Sequence, residues 1–109
     1  MEMIKVISGR RYNTEKADQV YHWWNGQYSS DFRYRQKTLY RTAAGNWFFH
    51  HSGGPLSDMG VACGNGLGGS ESIEPCSDSE AYDFLERNSA DSEAMEAIEK
   101  YFANQVQDA

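Results

Sequence analysis

A chain of 109 residues with 39% hydrophobic side chains and a formal net charge of −6 has room for one core, and we read it as a single domain over 1–109. Its apolar runs reach only three or four residues, which argues against a membrane-spanning helix or a secretory leader, so a soluble, intracellular protein is expected. The charge is divided: up to Gly54 eight Lys or Arg stand against four Asp or Glu, whereas from Pro55 two stand against twelve, a property that speaks of partners and solubility and not of fold.

Met3 to Ile7 is a β-prone run stopped by Ser8-Gly9, which predicts a first strand and a turn. Asn13 or Thr14 can cap a short N-terminal helix through Glu15, Ala17 and Val20, leading to Trp23-Trp24 and stopping at Asn25-Gly26. From Phe32 the sequence alternates. Phe32, Tyr34 and Gln36 fall on one face and Arg33, Arg35 and Lys37 on the other, as in a half-buried strand with a basic solvated face, continuing across a bulge into Leu39-Tyr40-Arg41. Thr42 to Asn46 has the length and chemistry of a hairpin loop leading into Trp47-Phe48-Phe49-His50.

Residues Gly53 to Ser70 hold seven of the ten glycines and read as a loop that crosses the surface or wraps an edge. Ser72 to Cys76 suits a short edge strand, because Pro75 cannot donate into a ladder. Ser77-x-x-Glu80 is a capping box, with Asp78 and Glu80 also favoured at the positive start of a helix. In that helix Ala81, Phe84 and Leu85 form a narrow apolar stripe, and Asn88-Ser89 ends it. A second helix begins near Asp91, with Met95, Ile98 and Phe102 at helical spacing. The fold class is therefore α+β: a small, mainly antiparallel β-sheet with two C-terminal helices packed on it and a short N-terminal helix at an edge.

Several motifs that could carry chemistry give way to plainer readings. Gly64, Gly66 and Gly69 match G-x-G-x-x-G, but no helix-forming run follows them, so the spacing implies no dinucleotide site and no cofactor. His50 and His51 alternate across a strand, and with His22, Cys63 and Cys76 they lack metal-ligand spacing, so no metal is expected. Cys63 has no basic neighbour to activate its thiol, and an intracellular setting favours free thiols over a disulfide. No nucleophile, base and orienting group can be placed together, which argues against an enzyme and names no catalytic residue.

Two charged features remain. Arg33, Arg35, Lys37 and Arg41 interleave with aromatics, a combination used by single-stranded nucleic-acid binders, and they define one candidate site for a small regulator. Asp78, Glu80, Asp83, Glu86, Glu93, Glu96 and Glu99 display carboxylates along the two helices. Such a display can imitate nucleic-acid phosphate and occupy a basic groove on another protein. Trp23 and Trp24 are candidate aromatic anchors for that contact.

Ile7 to Thr14, Leu39-Tyr40-Arg41-Thr42 with Gly45 and Trp47-Phe48, Gly53 to Ser57, and Ile73-Glu74-Pro75 with Glu80-Ala81 occur in an order that resembles a family of short bacterial proteins carried on phages and other mobile elements. Proteins of this size and setting include anti-CRISPR inhibitors, which cover a nucleic-acid channel or a nuclease-recruitment surface of an RNA-guided complex. The resemblance supplies no catalytic residue, and Cys63 and Cys76 match nothing in it. Together with the acidic helices it implies a non-enzymatic inhibitor whose partner is a CRISPR effector with a basic, nucleic-acid-binding surface, acting without membrane or direct nucleic-acid contact.

Overall fold

A computed structural model describes residues 3–28, 31–64 and 66–108. Its element order is β1 (Ile4–Ile7), β2 (Arg10–Asn13), β3 (Asp18–Trp24), β4 (Arg35–Arg41), β5 (Trp47–Gly53), β6 (Val61–Cys63), β7 (Gly66–Gly68), β8 (Ser70–Cys76), α1 (Asp78–Arg87) and α2 (Ser92–Tyr101), followed by a 3-10 turn over Ala103–Gln105. The α+β class is as expected. A four-stranded antiparallel sheet in the order β3-β4-β5-β8 carries the two helices on one face, and two further hairpins, β1-β2 and β6-β7, form separate two-stranded ladders.

The expected N-terminal helix is absent, and a turn and a strand occupy its place. Asn13 does offer its side chain to following backbone, but Oδ1 accepts only the Glu15 N–H, at 2.9 Å, while its carbonyl accepts Lys16 and Ala17 at 3.2 and 3.1 Å. This is a local turn of the kind Asn forms as readily as a helix cap. Beyond it β3 pairs with β4, and a shift of register between Gln19 and Tyr21 lets consecutive Val20 and Tyr21 both pack toward the helices. The bulge thus lies in β3, while the β4–β5 register runs unbroken from Arg35↔Gly53 to Arg41↔Trp47.

One core lies between sheet and helices. Leu39, Trp47 and Phe49 meet Ala81, Phe84, Leu85, Ala94, Ala97, Ile98 and Phe102. Phe84 stands edge-on to Phe49 with centroids 5.1 Å apart, and Trp47 stacks on Phe102 at 5.3 Å, geometries that add to the burial of large rings. Met95, expected in the helix stripe, is exposed, and Ala94 and Ala97 take the inner positions. Small side chains there let α2 approach the bulged strand. The second core sits on the opposite face, where Tyr12, Phe48 and Ile73 pack with Met3, Ile7, Ala17 and Tyr40 and hold the β1-β2 hairpin against the sheet.

Both helix starts follow from their sequences. Ser77 Oγ accepts the Glu80 N–H and Glu80 Oε1 accepts the Ser77 N–H, each at 3.1 Å, completing the capping box. Asp91 Oδ1 caps α2 at the Glu93 N–H, and its Oδ2 accepts the Tyr21 hydroxyl at 3.0 Å, so one carboxylate fixes the helix start to β3. Asn88 ends α1, as predicted.

The glycine-rich stretch is organised, with the β6-β7 hairpin inside it. Gly54 N–H donates to Tyr34 O and Leu56 N–H to Phe32 O, at 2.8 and 2.7 Å, fastening the loop to the segment before β4. A Cβ on Gly54 would stand 2.6 Å from the Phe32 carbonyl, which is why no larger residue fits. β8 is an edge strand with Pro75 inside it, as its missing N–H allows.

Candidate functional site

All seven carboxylates singled out in the sequence, Asp78, Glu80, Asp83, Glu86, Glu93, Glu96 and Glu99, are exposed on α1 and α2. Across residues 78–101 eight carboxylates are answered only by Arg87 and Lys100. The ion pairs found among the described residues, Arg35–Asp58, His50–Glu71 and His51–Glu74, involve none of the seven. Two are partly occupied in other ways: Glu80 serves the capping box, and Glu86 hydrogen-bonds Tyr82, raising that phenol's pKa. The remaining five form no ion pair among the described residues, with Lys100 near Glu93 and Glu96 and Arg87 bonded to the Asp83 carbonyl as the cations on the same helices, so most of their field reaches solvent.

The two tryptophans do not form one anchor. Adjacent strand residues point to opposite faces. Trp23 packs partly buried against the helix-side core, while Trp24 lies on the other face, 43% exposed. Its indole N–H donates to the Gln27 carbonyl and its ring tilts against Tyr28 at 5.7 Å. Trp23 borders a shallow depression with Lys37, Phe84, Arg87 and Asn88, and both tryptophans border another with Arg87, Ala90 and Asp91 at the link between the helices.

The basic residues are arranged otherwise than the alternation suggested. Only Arg33, ahead of β4, is fully exposed. Arg35, Lys37 and Arg41 share the face of Leu39, which is the face the helices cover. Arg35 Nε donates to Asp58 Oδ1 at 2.7 Å. Lys37 Nζ lies 4.1 Å above the Phe49 ring and 5.1 Å above Phe84, and desolvation there lowers its pKa. The Arg41 guanidinium sits between Trp47 and Tyr101, at 5.2 and 5.1 Å, with its buried Nε lacking a hydrogen-bond partner among the described residues. Their stems extend the core, and the four cations do not make a contact strip.

Beside them runs a polar chain. Arg35 Nη2 donates to His51 Nδ1 at 2.9 Å, which leaves the proton on Nε2 to be donated to Glu74 Oε1 at 3.1 Å. Burial, with Arg35 and Lys37 nearby, lowers the His51 pKa against the opposing pull of Glu74. Both ring nitrogens are engaged, so His51 is held as a neutral spacer. His50, on the other face, donates to Glu71 at 3.0 Å, and His22 Nδ1 shares a 2.8 Å hydrogen bond with Thr38 Oγ1.

No three His, Cys, Asp or Glu side chains converge as metal ligands among the described residues. Gly64 and Gly66 belong to the turn and second strand of the β6-β7 hairpin, and Gly69 to the link into β8. Burial, aided by Glu80 and Glu74, pushes the free Cys76 thiol up to about 12, far from a nucleophile's range.

A further concavity lies elsewhere, between the β1-β2 hairpin and the β4–β5 turn, and is bordered by Arg10, Arg11 and Lys16. Three cations within seven residues were the available signal for it, obscured by reading the segment after Asn13 as a helix. None of the described helices is long and apolar enough to cross a membrane. Compared with known proteins, the chain matches no family model, no curated protein and no solved structure.

Proposed function

We propose that this protein is a non-enzymatic inhibitor that lays the acidic face of α1 and α2 on a basic, nucleic-acid-binding surface of another protein, as an anti-CRISPR would on a bacterial RNA-guided complex. The observation that carries the reading is the exposed, unpaired state of the helical carboxylates, in a chain whose strand cations are drawn into the core instead of neutralising them. Charge displayed in this way accelerates encounter with a cationic groove and sets its register. Trp23, partly buried against α1 beside Lys37 and Arg87, would supply an apolar contact next to the helices. The choice of a CRISPR effector as partner rests on the resemblance read from the sequence.

The test is to add the protein in excess to a panel of CRISPR surveillance complexes and measure target binding and cleavage. Inhibition that weakens with salt, and falls about tenfold or more on the triple change D83K/E86K/E96K, is expected. Unchanged target binding and cleavage across the panel would refute the reading.

A further inference from the structure

The hairpin β1-β2 and the turn between β4 and β5 enclose a cleft of about 570 Å³, within the range of small-ligand sites. Arg10, Arg11, Lys16, Asn13, Thr42 and Asn46 line it together with Tyr12 and three alanines. Its walls are joined by the Arg10 Nη1 hydrogen bond to Asn46 Oδ1, at 3.0 Å across 36 residues of sequence. The turn that presents Lys16 is fixed by Asn13, itself almost wholly buried, through the three bonds to Glu15, Lys16 and Ala17. The opposite wall is equally set: Thr42 N–H donates to Asn46 O at 2.8 Å, and Asn46 N–H to Thr42 Oγ1 at 3.1 Å.

No carboxylate lines this cleft, and among the described residues none of its three cations takes part in an ion pair. Glu15, in the Lys16 turn, is exposed and outside the lining. Arg10 and Arg11, successive in β2, flank the concavity from the two faces of the strand, with Lys16 on the turn beyond it. In a chain of net charge −6, three cations bordering one concavity with no ion-pair partner among the described residues are set to receive an anion. Two guanidinium forks and an ammonium suit a group with several oxygens, and guanidinium matches phosphate in a bidentate way.

From this we infer that the cleft binds a pyrophosphate-type group, carried by a nucleoside polyphosphate or by free polyphosphate. Arg10 forms the bridge between the walls, and Arg11 and Lys16 contribute the charges that the ligand would neutralise. Lying on the other face of the sheet from α1 and α2, the cleft is independent of the docking reading.

Amide chemical-shift titrations of the whole chain with ATP, inorganic pyrophosphate and adenosine test it. Saturable shifts confined to residues 10–17 and 42–46 are expected with ATP and pyrophosphate, weakening as salt rises, and none with adenosine. R11A and K16A, both at exposed positions, should each weaken binding about tenfold while leaving the remaining amide spectrum in place. ATP binding more tightly than pyrophosphate identifies a nucleotide, and equal binding identifies free polyphosphate. The inference is overturned by the absence of saturable shifts with either anion, by equal binding of adenosine, or by unchanged affinity in both R11A and K16A.

Discussion

Replacing Phe48 with alanine should separate the two layers on either side of the sheet. The side chain is wholly buried, with Tyr12 edge-on at 5.4 Å, Tyr40 stacked at 5.1 Å and Ile73 beside it. An aromatic side chain of this kind hides roughly 150 Å² or more, which at about 25 cal/mol per Å² is about 4 kcal/mol, in line with the roughly 3–5 kcal/mol lost when buried Phe is truncated. Against a total of about 5–15 kcal/mol for a domain and a urea slope of about 2 kcal/mol per molar, the midpoint should fall by about 2 M. Urea titration followed by far-ultraviolet circular dichroism measures this, and amide exchange locates it. Residues 4–13 should lose protection more than α1 and α2, whose core is on the far face. A loss below about 1 kcal/mol, or unchanged protection in the hairpin, would refute the claim that Phe48 holds β1-β2 to the sheet.

Ser77→Ala removes the reciprocal cap of α1 and should cost about 1 kcal/mol, read as a lower Tm, whereas Ser79→Ala, inside the helix, should leave Tm within error. Gly60→Ala would drive a Cβ into the Pro55 carbonyl and should lower the urea midpoint by more than Gly64→Ala, where positive φ is the only obstacle. In a C63S background, Cys76 should resist a thiol reagent at pH 8 until the protein is unfolded. The unfolded thiol releases its proton near 9.0 and the folded one near 12, so stability should fall as pH rises between those values, reinforced by Tyr21, whose phenol is raised to about 12 by burial and its bond to Asp91. His51 acts at the other end. Its folded pKa lies below the usual 6.5, so the unfolded chain takes up the proton first and stability should decline as pH falls below about 6.5, less steeply in His51→Gln.

The helical third was legible in the sequence because its signals are local. Ser77 and Glu80 find each other three residues apart, and Ala81, Phe84 and Leu85 need only helical spacing to share a face. The β4–β5 hairpin was legible for the same reason, with Gly45 at φ +88° in the turn between them. The segment from Asn13 to Trp24 was not. Asn13 offers the same oxygen to a turn or to a helix, and the choice falls to Tyr21, whose burial against Phe84 and bond to Asp91 come from residues more than sixty positions away. For the basic strand, alternation identifies two faces but not which one is covered. Leu39 shares parity with Lys37 and Arg41, and the burial of its neighbour Phe49 carried the cations inward with it. Of the candidate site, the exposed acids could be read from helix faces alone. The Arg10–Lys16 cleft needs a meeting with Thr42–Asn46 that no local pattern announces.

The strand order also has a meaning for how the chain is made. β3, β4 and β5 follow one another as a meander and can pair once residue 53 has emerged from the ribosome. From then until residues 70–76 emerge in turn, the outer edge of β5 is open, and the Leu39, Trp47 and Phe49 face stays wet until α1 and α2 arrive. A nascent chain halted in the glycine-rich stretch would present a bare edge beside an uncovered aromatic surface, the combination most prone to pairing with another copy. The intervening turn, pinned to Phe32 and Tyr34 by backbone bonds, leads the chain back along β5 and so directs β8 to that edge before another strand can take it.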